Sequence, residues 1–215
     1  AKVSSWPSPT LRSAPRSRST CSHPRWERNP SALTTAAAWS LATELAEEAM
    51  AAKSKQPGES DALVLWASDT VRDEGVMIAF GMKLLGIRPV WNSRGIVKGL
   101  ERLPAGAETD TPVRRNVVFT TSGLFRDLYE SQLEWLDLAS RYALAGAANT
   151  IEAEHPELAG ALEQALSVLP ADMHERGDES LSTNGVAARW VADTRVLMAA
   201  GASARDAGSR AAHRV

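Results

Sequence analysis

Apolar residues recur along positions 34–215 with two spacings that alternate. Residues 62–68 (ALVLWAS) form a short apolar run with the length of a strand covered on both faces, and further strand-like runs follow at 87–91 and 114–122. The segments 34–53 and 71–86 instead place apolar side chains three or four residues apart, as helices do. Strands that alternate with helices predict an α/β fold with a mainly parallel, Rossmann-like sheet and flanking helices.

Local signals sharpen this outline. Thr34 or Thr35 is a suitable N-cap for the first helix, whose apolar face is predicted from Ala37, Leu41, Leu45 and Ala49. Residues 92–95 (NSRG) predict a hairpin turn into another short strand. A long helix is predicted over 124–146, and its apolar stripe comprises Leu124, Leu128, Leu133, Leu136 and Ala139.

The last third of the chain changes character. Helices are predicted at 156–169, at 184–201 with Asn184 as the cap, and from about residue 203 onward. We therefore predict an α/β unit over 34–145, followed by an all-helical C-terminal part over 146–215 that is truncated at its C-terminus.

Residues 1–33 differ from the rest of the chain. Ser, Pro and Arg dominate this leader, which has no apolar periodicity, so it is predicted to be disordered or non-native. Its composition is also compatible with an organelle transit peptide, with a basic arm for nucleic acid, or with a misread coding frame.

Composition limits the functional classes. The formal net charge of −2 gives no reason to expect nucleic acid or an anionic membrane as a partner. No apolar run approaches the roughly 18 residues of a membrane helix, so no transmembrane segment is predicted. The single cysteine, Cys21, excludes an internal disulfide framework and favours a reducing compartment, which leads to a cytoplasmic expectation.

The best local candidate for a binding site is TTSGLFRDLY, residues 120–129. A buried strand ends there, Ser122 and Gly123 turn the chain, and a helix begins with Arg126 and Asp127 on its first turns. The carboxyl end of a strand in an α/β fold is where ligands commonly bind. The residues allow either a ligand-facing or interface pair, or an ion pair within the helix, and their chemistry alone favours the ion pair.

Other chemistry is sparse. Asp73 and Glu74 fit helix-end electrostatics better than catalysis, and the glycines at 81 and 86 do not form a phosphate loop, so ATP binding by this chain is not expected. The four histidines, His23, His155, His174 and His213, show no metal-ligand spacing and are expected at the surface. Residue chemistry by itself does not determine the function.

Three blocks in order resemble the large subunit of class I tetrapyrrole metal chelatases, the family that includes the porphyrin-binding subunit of magnesium chelatase and the cobaltochelatase large subunit. They are LVLWASDTVRDEG, the segment LLGIRPV followed by WNSRGIVKGLERLP, and VVFTTSGLFRDLYESQLEWLDLA with the signature SGLFRD. The similarity spans about residues 34–215. An acid usually follows the helix glycine in that family, whereas here Asp73 and Glu74 precede Gly75.

The resemblance implies a fragment of the porphyrin-binding subunit of an ATP-dependent chelatase, an enzyme that inserts a metal ion into a tetrapyrrole. It implies Mg²⁺ and protoporphyrin IX, for chlorophyll-type synthesis, or alternatively Co²⁺ and hydrogenobyrinic acid a,c-diamide, for cobalamin synthesis. It further implies that an AAA+ ATPase subunit and its companion subunit use the ATP, and that the fragment alone is inactive.

From the resemblance, the candidates for substrate binding or for an interface are Ser122, Arg126, Asp127 and Glu74. No catalytic residue and no metal ligand is assigned. The rival hypothesis is a non-enzymatic α/β binding module in which Arg126 and Asp127 are structural.

Overall fold

A computed structural model describes residues 35–52, 59–105 and 114–213. The leader predicted at 1–33 lies outside the described residues, as do the segments 53–58 and 106–113. The predicted division into units at residue 145 stays a prediction.

Strands and helices alternate in the first part of the chain, and helices follow in the second. The strands are β1 (Ser60–Leu65), β2 (Ile87–Trp91), β3 (Val97–Arg102) and β4 (Asn116–Thr121). The helices are α1 (Ala36–Ala52), α2 (Ala67–Arg72), α3 (Val76–Leu84), α4 (Gly123–Leu128), α5 (Glu130–Ala145), α6 (Ala148–Glu154), α7 (Ala159–Leu166), α8 (Gly185–Ala199) and α9 (Ala204–Ala212). The α/β class is confirmed.

The described strands form two pairs. Strands β1 and β4 run parallel, in a register from Ser60 opposite Asn116 to Leu65 opposite Thr121. Strands β2 and β3 form the predicted antiparallel hairpin, with an irregularity between Val90 and Trp91. The parallel pair puts the carboxyl ends of β1 and β4 side by side, and each strand leads within two residues into a helix, α2 or α4.

Only one face of the parallel pair is covered by described residues. Leu65 and Phe119 point into the core, whereas Val64 is 52% exposed and Val118 is 38% exposed. The expectation that 62–68 is covered on both faces is therefore wrong for the described part of the chain. No described element packs on the outward face, so the alternation of buried and exposed positions is that of a one-sided sheet.

The buried face of α1 differs from the predicted one. Thr35 caps the helix as expected, since its Oγ1 accepts the Ala38 N–H at 3.0 Å. The buried positions are Ala38, Ala42 and Ala46, whereas Leu41 and Leu45 are exposed. A stripe of alanines lets α1 approach α3 closely, so small side chains, and not the leucines, define the contact.

The helix predicted over 71–86 is broken in two. Glu74 and Gly75 have positive φ angles, of 53° and 83°, which end α2 and start α3 in a new direction. The Asp73 carboxylate stabilises the restart by accepting the Gly75 N–H at 2.9 Å and the Met77 N–H at 3.3 Å. Asp73 is thus a helix cap, in line with the expected helix-end role.

The helix predicted over 124–146 is also interrupted. Tyr129 has φ −122° and ψ 38°, outside the helical region, and separates α4 from α5. Leu124 and Leu128 are consequently exposed, which makes the predicted stripe wrong at those two positions, while Leu136 and Ala139 are buried as expected.

Helix α3 packs very closely on the parallel pair. A Cβ at Gly81 would lie 2.5 Å from the Phe119 ring and 3.1 Å from the Leu63 side chain. Because a real Cβ does not come that close to a neighbouring atom, Gly81 sets the distance between α3 and the sheet.

A buried arginine joins the strands to the helical part. Arg114 is 1% exposed and its Nε and Nη2 donate to the two carboxylate oxygens of Glu179, both at 2.7 Å. Its Nη1 donates to the Leu85 carbonyl at 3.1 Å and to the Gly86 carbonyl at 2.8 Å, and Nη2 also donates to the Leu103 carbonyl. All the charge-bearing nitrogens are thereby satisfied, as burial of a guanidinium requires.

Asn184 and Gly86 complete this cluster. Asn184 is 0% exposed and caps α8 as predicted, accepting the Ala187 N–H at 3.0 Å, while its amide donates to Glu179 at 2.8 Å and to the Ala143 carbonyl at 2.7 Å. Gly86 has φ 69°, and a Cβ there would lie 2.2 Å from the Arg114 Nη1. Position 86 therefore excludes any side chain on both counts.

We predict that Glu179→Ala lowers the free energy of unfolding by about 3–5 kcal/mol, because it leaves Arg114 as a buried charge without its partner. Urea unfolding followed by circular dichroism measures the change. The matched control is Glu101→Ala, which removes the half-exposed ion pair with Arg88 and should cost about 1 kcal/mol or less. Equal losses in the two variants would contradict a dominant role for the buried pair.

A candidate ligand groove beside strand β4

An open groove of about 610 Å³ runs between the carboxyl end of β4, α4, the first half of α5 and the end of α9. Its volume lies in the range of about 300–1,000 Å³ that is usual for small-molecule sites. The lining residues are Phe119, Thr120, Thr121, Arg126, Leu133, Glu134, Asp137 and His213. The wall is apolar at Phe119 and Leu133 and carries charged side chains of both signs.

The segment 122–129 places one residue in this groove through a local division of labour. Ser122 caps α4, since its Oγ accepts the Phe125 N–H at 3.1 Å. Phe125 is 0% exposed and stacks on Tyr129 with ring centroids 5.1 Å apart. With the cap and the anchor fixed, Arg126 projects from the next position of the helix into the groove.

Arg126 does not form the ion pair that its chemistry favoured. Within the described residues, its guanidinium has neither a hydrogen bond nor a salt bridge, and Asp127 likewise has none. Adjacent helix positions point in different directions, so the two side chains do not meet. An unpaired guanidinium in a groove has all its donors available for an anionic group.

The other two predicted candidates lie elsewhere. Asp127 is exposed and does not line the groove. Glu74 is exposed in the turn between α2 and α3, where its φ of 53° belongs to the left-handed region. Ser122 acts on the site indirectly, by fixing the start of the helix that carries Arg126.

Three groove residues were not identified from the sequence, namely Glu134, Asp137 and His213. Asp137 is held by Arg141, whose Nε donates to the Asp137 Oδ2 at 2.8 Å, and its Oδ1 lies 3.2 Å from the His213 Nδ1. The spacing of four between Asp137 and Arg141 is a visible helical signal. The separation of 76 residues between Asp137 and His213 leaves no local pattern, so a structure is needed to join them.

A comparable surface cluster lies outside the groove. His155 Nδ1 is 3.0 Å from the Arg195 Nη2, and the same arginine nitrogen donates to Glu157 Oε1 at 2.8 Å. The hydrogen bond from Arg195 lowers the pKa of the Glu157 carboxyl below its usual range. No groove-lining residue belongs to this cluster, which makes it a useful control.

Neither a clustered metal site nor a membrane helix occurs in the described ranges. Among residues 35–52, 59–105 and 114–213, no group of three or more His, Cys, Asp or Glu side chains converges as a metal-binding cluster. In the same part of the chain, no helix has both the length and the apolar character needed to cross a membrane.

Fold and groove together define an α/β unit with attached helices and a ligand-sized opening at the carboxyl end of a parallel strand. The family model described as CobN/Magnesium Chelatase matches residues 26–215. The chain belongs to this family, which confirms the resemblance carried by the three sequence blocks.

Individual relatives agree with the family match. The magnesium-chelatase H protein of Rhodobacter capsulatus, a subunit of that enzyme, is 41% identical over 90 residues, which cover 42% of this chain and 7% of that protein. The chloroplastic magnesium-chelatase ChlH protein of Oryza sativa subsp. japonica is 38% identical over 81 residues, covering 38% of this chain and 6% of that protein. An uncharacterized protein of Methanocaldococcus jannaschii is 37% identical over 114 residues, covering 52% of this chain and 9% of that protein.

A solved structure extends the similarity over more of the fold. The catalytic subunit of cobaltochelatase from Mycobacterium tuberculosis superposes with a TM-score of 0.55 and 26% identity, covering 83% of this chain and 12% of that one. The chain thus spans less than a tenth of the length of the curated relatives above and about an eighth of the structural neighbour.

We predict that Ser122→Ala lowers the free energy of unfolding by about 0.5–2 kcal/mol, because the Phe125 N–H loses its acceptor. Ser122→Asp, which restores an acceptor at the N-cap, should recover most of the loss. Thermal unfolding of the three proteins measures both effects. If the Asp variant is as unstable as the Ala variant, Ser122 does not act as a cap.

Proposed function

We propose that this chain is part of the tetrapyrrole-binding large subunit of a metal chelatase and that the groove beside β4 contacts the macrocycle. The intact subunit would insert Mg²⁺ into protoporphyrin IX, in chlorophyll-type synthesis, with the metal ion and the porphyrin both as substrates. The observation that carries the proposal is the unpaired guanidinium of Arg126 in a groove of about 610 Å³.

The chemistry of the groove suits such a ligand. Protoporphyrin IX combines a flat apolar ring with propionate side chains, and the groove offers apolar surface from Phe119 and Leu133 beside the cation of Arg126. Guanidinium groups bind carboxylates through paired, charge-assisted hydrogen bonds. Arg126 would therefore hold a propionate, while the apolar wall contacts the edge of the ring.

The choice of Mg²⁺ rests on the local similarity to the magnesium-chelatase relatives, which reaches 41% identity over 90 residues. The alternative, insertion of Co²⁺ into hydrogenobyrinic acid a,c-diamide in cobalamin synthesis, is supported by the cobaltochelatase structure, which matches 83% of the chain. A corrin-type ligand also carries carboxylates, so the proposed role of Arg126 is the same in both cases.

The energy source would be a separate polypeptide. Residues 81–86 contain glycines inside and after helix α3, so they do not form a phosphate-binding loop between a strand and a helix. An AAA+ ATPase subunit and a companion subunit would supply ATP hydrolysis, and this chain alone would be inactive. The cytoplasm is the proposed location, because a single cysteine fits a reducing compartment.

We expect Arg126→Ala in the intact subunit to weaken protoporphyrin IX binding about 10- to 100-fold. This range follows from the loss of a charge-assisted hydrogen bond of about 1.5–3 kcal/mol. Quenching of tryptophan fluorescence on titration measures the affinity. The matched control is Arg94→Ala, which removes an exposed arginine in the β2–β3 turn, remote from the groove, and should leave the affinity unchanged.

An esterified ligand identifies the group that Arg126 binds. The dimethyl ester of protoporphyrin IX has no free carboxylate, so its affinity should be the same for the wild-type subunit and for Arg126→Ala. If the variant binds the free acid as tightly as wild type does, Arg126 is not the carboxylate partner. If the wild-type subunit binds neither protoporphyrin IX nor hydrogenobyrinic acid a,c-diamide, the proposed function is wrong.

A further inference from the structure

Three side chains form a hydrogen-bonded row that ends at the groove. Arg141 is 6% exposed and anchors the row, since its Nη1 donates to the Ala165 carbonyl at 2.7 Å. Its Nε donates to the Asp137 Oδ2 at 2.8 Å, and the Asp137 Oδ1 lies 3.2 Å from the His213 Nδ1. The buried arginine thus fixes the carboxylate, and the carboxylate in turn orients the imidazole.

The row determines which imidazole nitrogen faces the ligand. An ionised carboxylate only accepts hydrogen bonds, so the His213 Nδ1 carries the hydrogen that it donates to Asp137. In neutral His213 the Nε2 then has a free lone pair, and it has no hydrogen-bond partner among the described residues. An imidazole oriented by a carboxylate on one nitrogen and open on the other is the usual arrangement of a general base.

A purely structural role accounts less well for this geometry. His213 has a side chain that is 58% exposed, and an ion pair at such a position contributes little to stability. Asp137 already has a charged partner in Arg141, so it does not need His213 to be satisfied. The other charged groups that line the groove are Glu134 on α5 and Arg126 on α4.

We infer that His213 accepts a proton from the macrocycle in the groove, with Asp137 and Arg141 as positioning residues. This role rests on the proposed function. Insertion of a divalent metal ion into a free-base ring releases the protons of two ring N–H groups. As the metal ion binds, a ring N–H bond breaks, its electron pair stays on the nitrogen as the metal–nitrogen bond forms, and the proton forms an N–H bond at Nε2.

The exposed position of His213 also provides an exit for the proton. The imidazolium formed is stabilised by the Asp137 carboxylate and can pass its proton to water, since its side chain is 58% exposed. Neutral His213 is then regenerated and can accept the second ring proton. No oxidant or reductant is needed, because every step is a proton transfer or a metal–ligand exchange.

The test uses the intact subunit with its ATPase partners and whichever of the two metal–tetrapyrrole pairs the wild-type complex accepts. We expect His213→Ala to lower the rate of metal insertion at least about 100-fold, the low end of general-base effects. The dissociation constant of the metal-free tetrapyrrole should stay within about twofold of wild type. Absorbance of the metallated product gives the rate, and fluorescence quenching gives the binding.

A second variant and chemical rescue separate proton transfer from shape. His213→Gln keeps a donor for Asp137 but does not accept a proton at neutral pH, so it should be as slow as His213→Ala. Added imidazole should restore part of the rate of His213→Ala and none of the rate of His213→Gln, which fills the same space. The matched control is His155→Ala, which removes the histidine of the surface cluster with Glu157 and Arg195 and should insert metal at the wild-type rate.

The outcomes distinguish the two proposals. A wild-type complex that inserts metal together with an equally active His213→Ala variant overturns the role of His213 and leaves the proposed function standing. Loss of rate in Glu134→Gln but not in His213→Ala assigns the proton to Glu134 and also overturns it. A wild-type complex that inserts neither metal ion overturns the proposed function, and the role of His213 with it.

Discussion

The ion pair between Arg114 and Glu179 fixes the position of the strands against the helices. Transfer of two charges out of water costs several kcal/mol for each ion, so such a pair is stable only when the remaining donors and acceptors are satisfied. Here carbonyls from the α3–β2 turn and from the end of β3 accept from the guanidinium, and Asn184 donates to the carboxylate. The same Asn184 amide binds the Ala143 carbonyl, near the end of α5. The cluster therefore holds the residues just before β4 and the end of α5 together, and these two elements form opposite walls of the groove.

The similarity to magnesium and cobalt enzymes has a local part and a global part. Sequence identity is concentrated in segments of 81–114 residues, whereas the structural match covers 83% of the chain at 26% identity. A shared fold with a shared groove is compatible with either metal, because the described residues contain no converging cluster of metal ligands. Metal choice would then depend on the ligand or on parts of the subunit that this chain does not include. The residues that face the macrocycle would serve both chemistries.

The sequence predicted the elements well where local chemistry determines them. Strand β2, the hairpin after it and the caps Thr35 and Asn184 follow from patterns a few residues long. The buried faces were harder to predict, because backbone breaks at Glu74 and Tyr129 shift the helical register and expose Leu124 and Leu128. The contacts that shape the site were invisible, since Arg114 with Glu179 and Asp137 with His213 join residues that are 65 and 76 positions apart. Arg126 was found as a candidate, but its freedom from an ion pair depends on the direction in which α4 presents it.

The close packing at Gly81 has a bearing on how the groove could vary among related chains. The Phe119 ring lies against Gly81 on one side, and Phe119 is also part of the groove wall. A methyl group at position 81 would have to displace this ring or separate α3 from the sheet. The shape of the opening is thus sensitive to a site that no ligand touches, and a change in ligand preference within the family could originate from a single hidden methyl group behind the sheet.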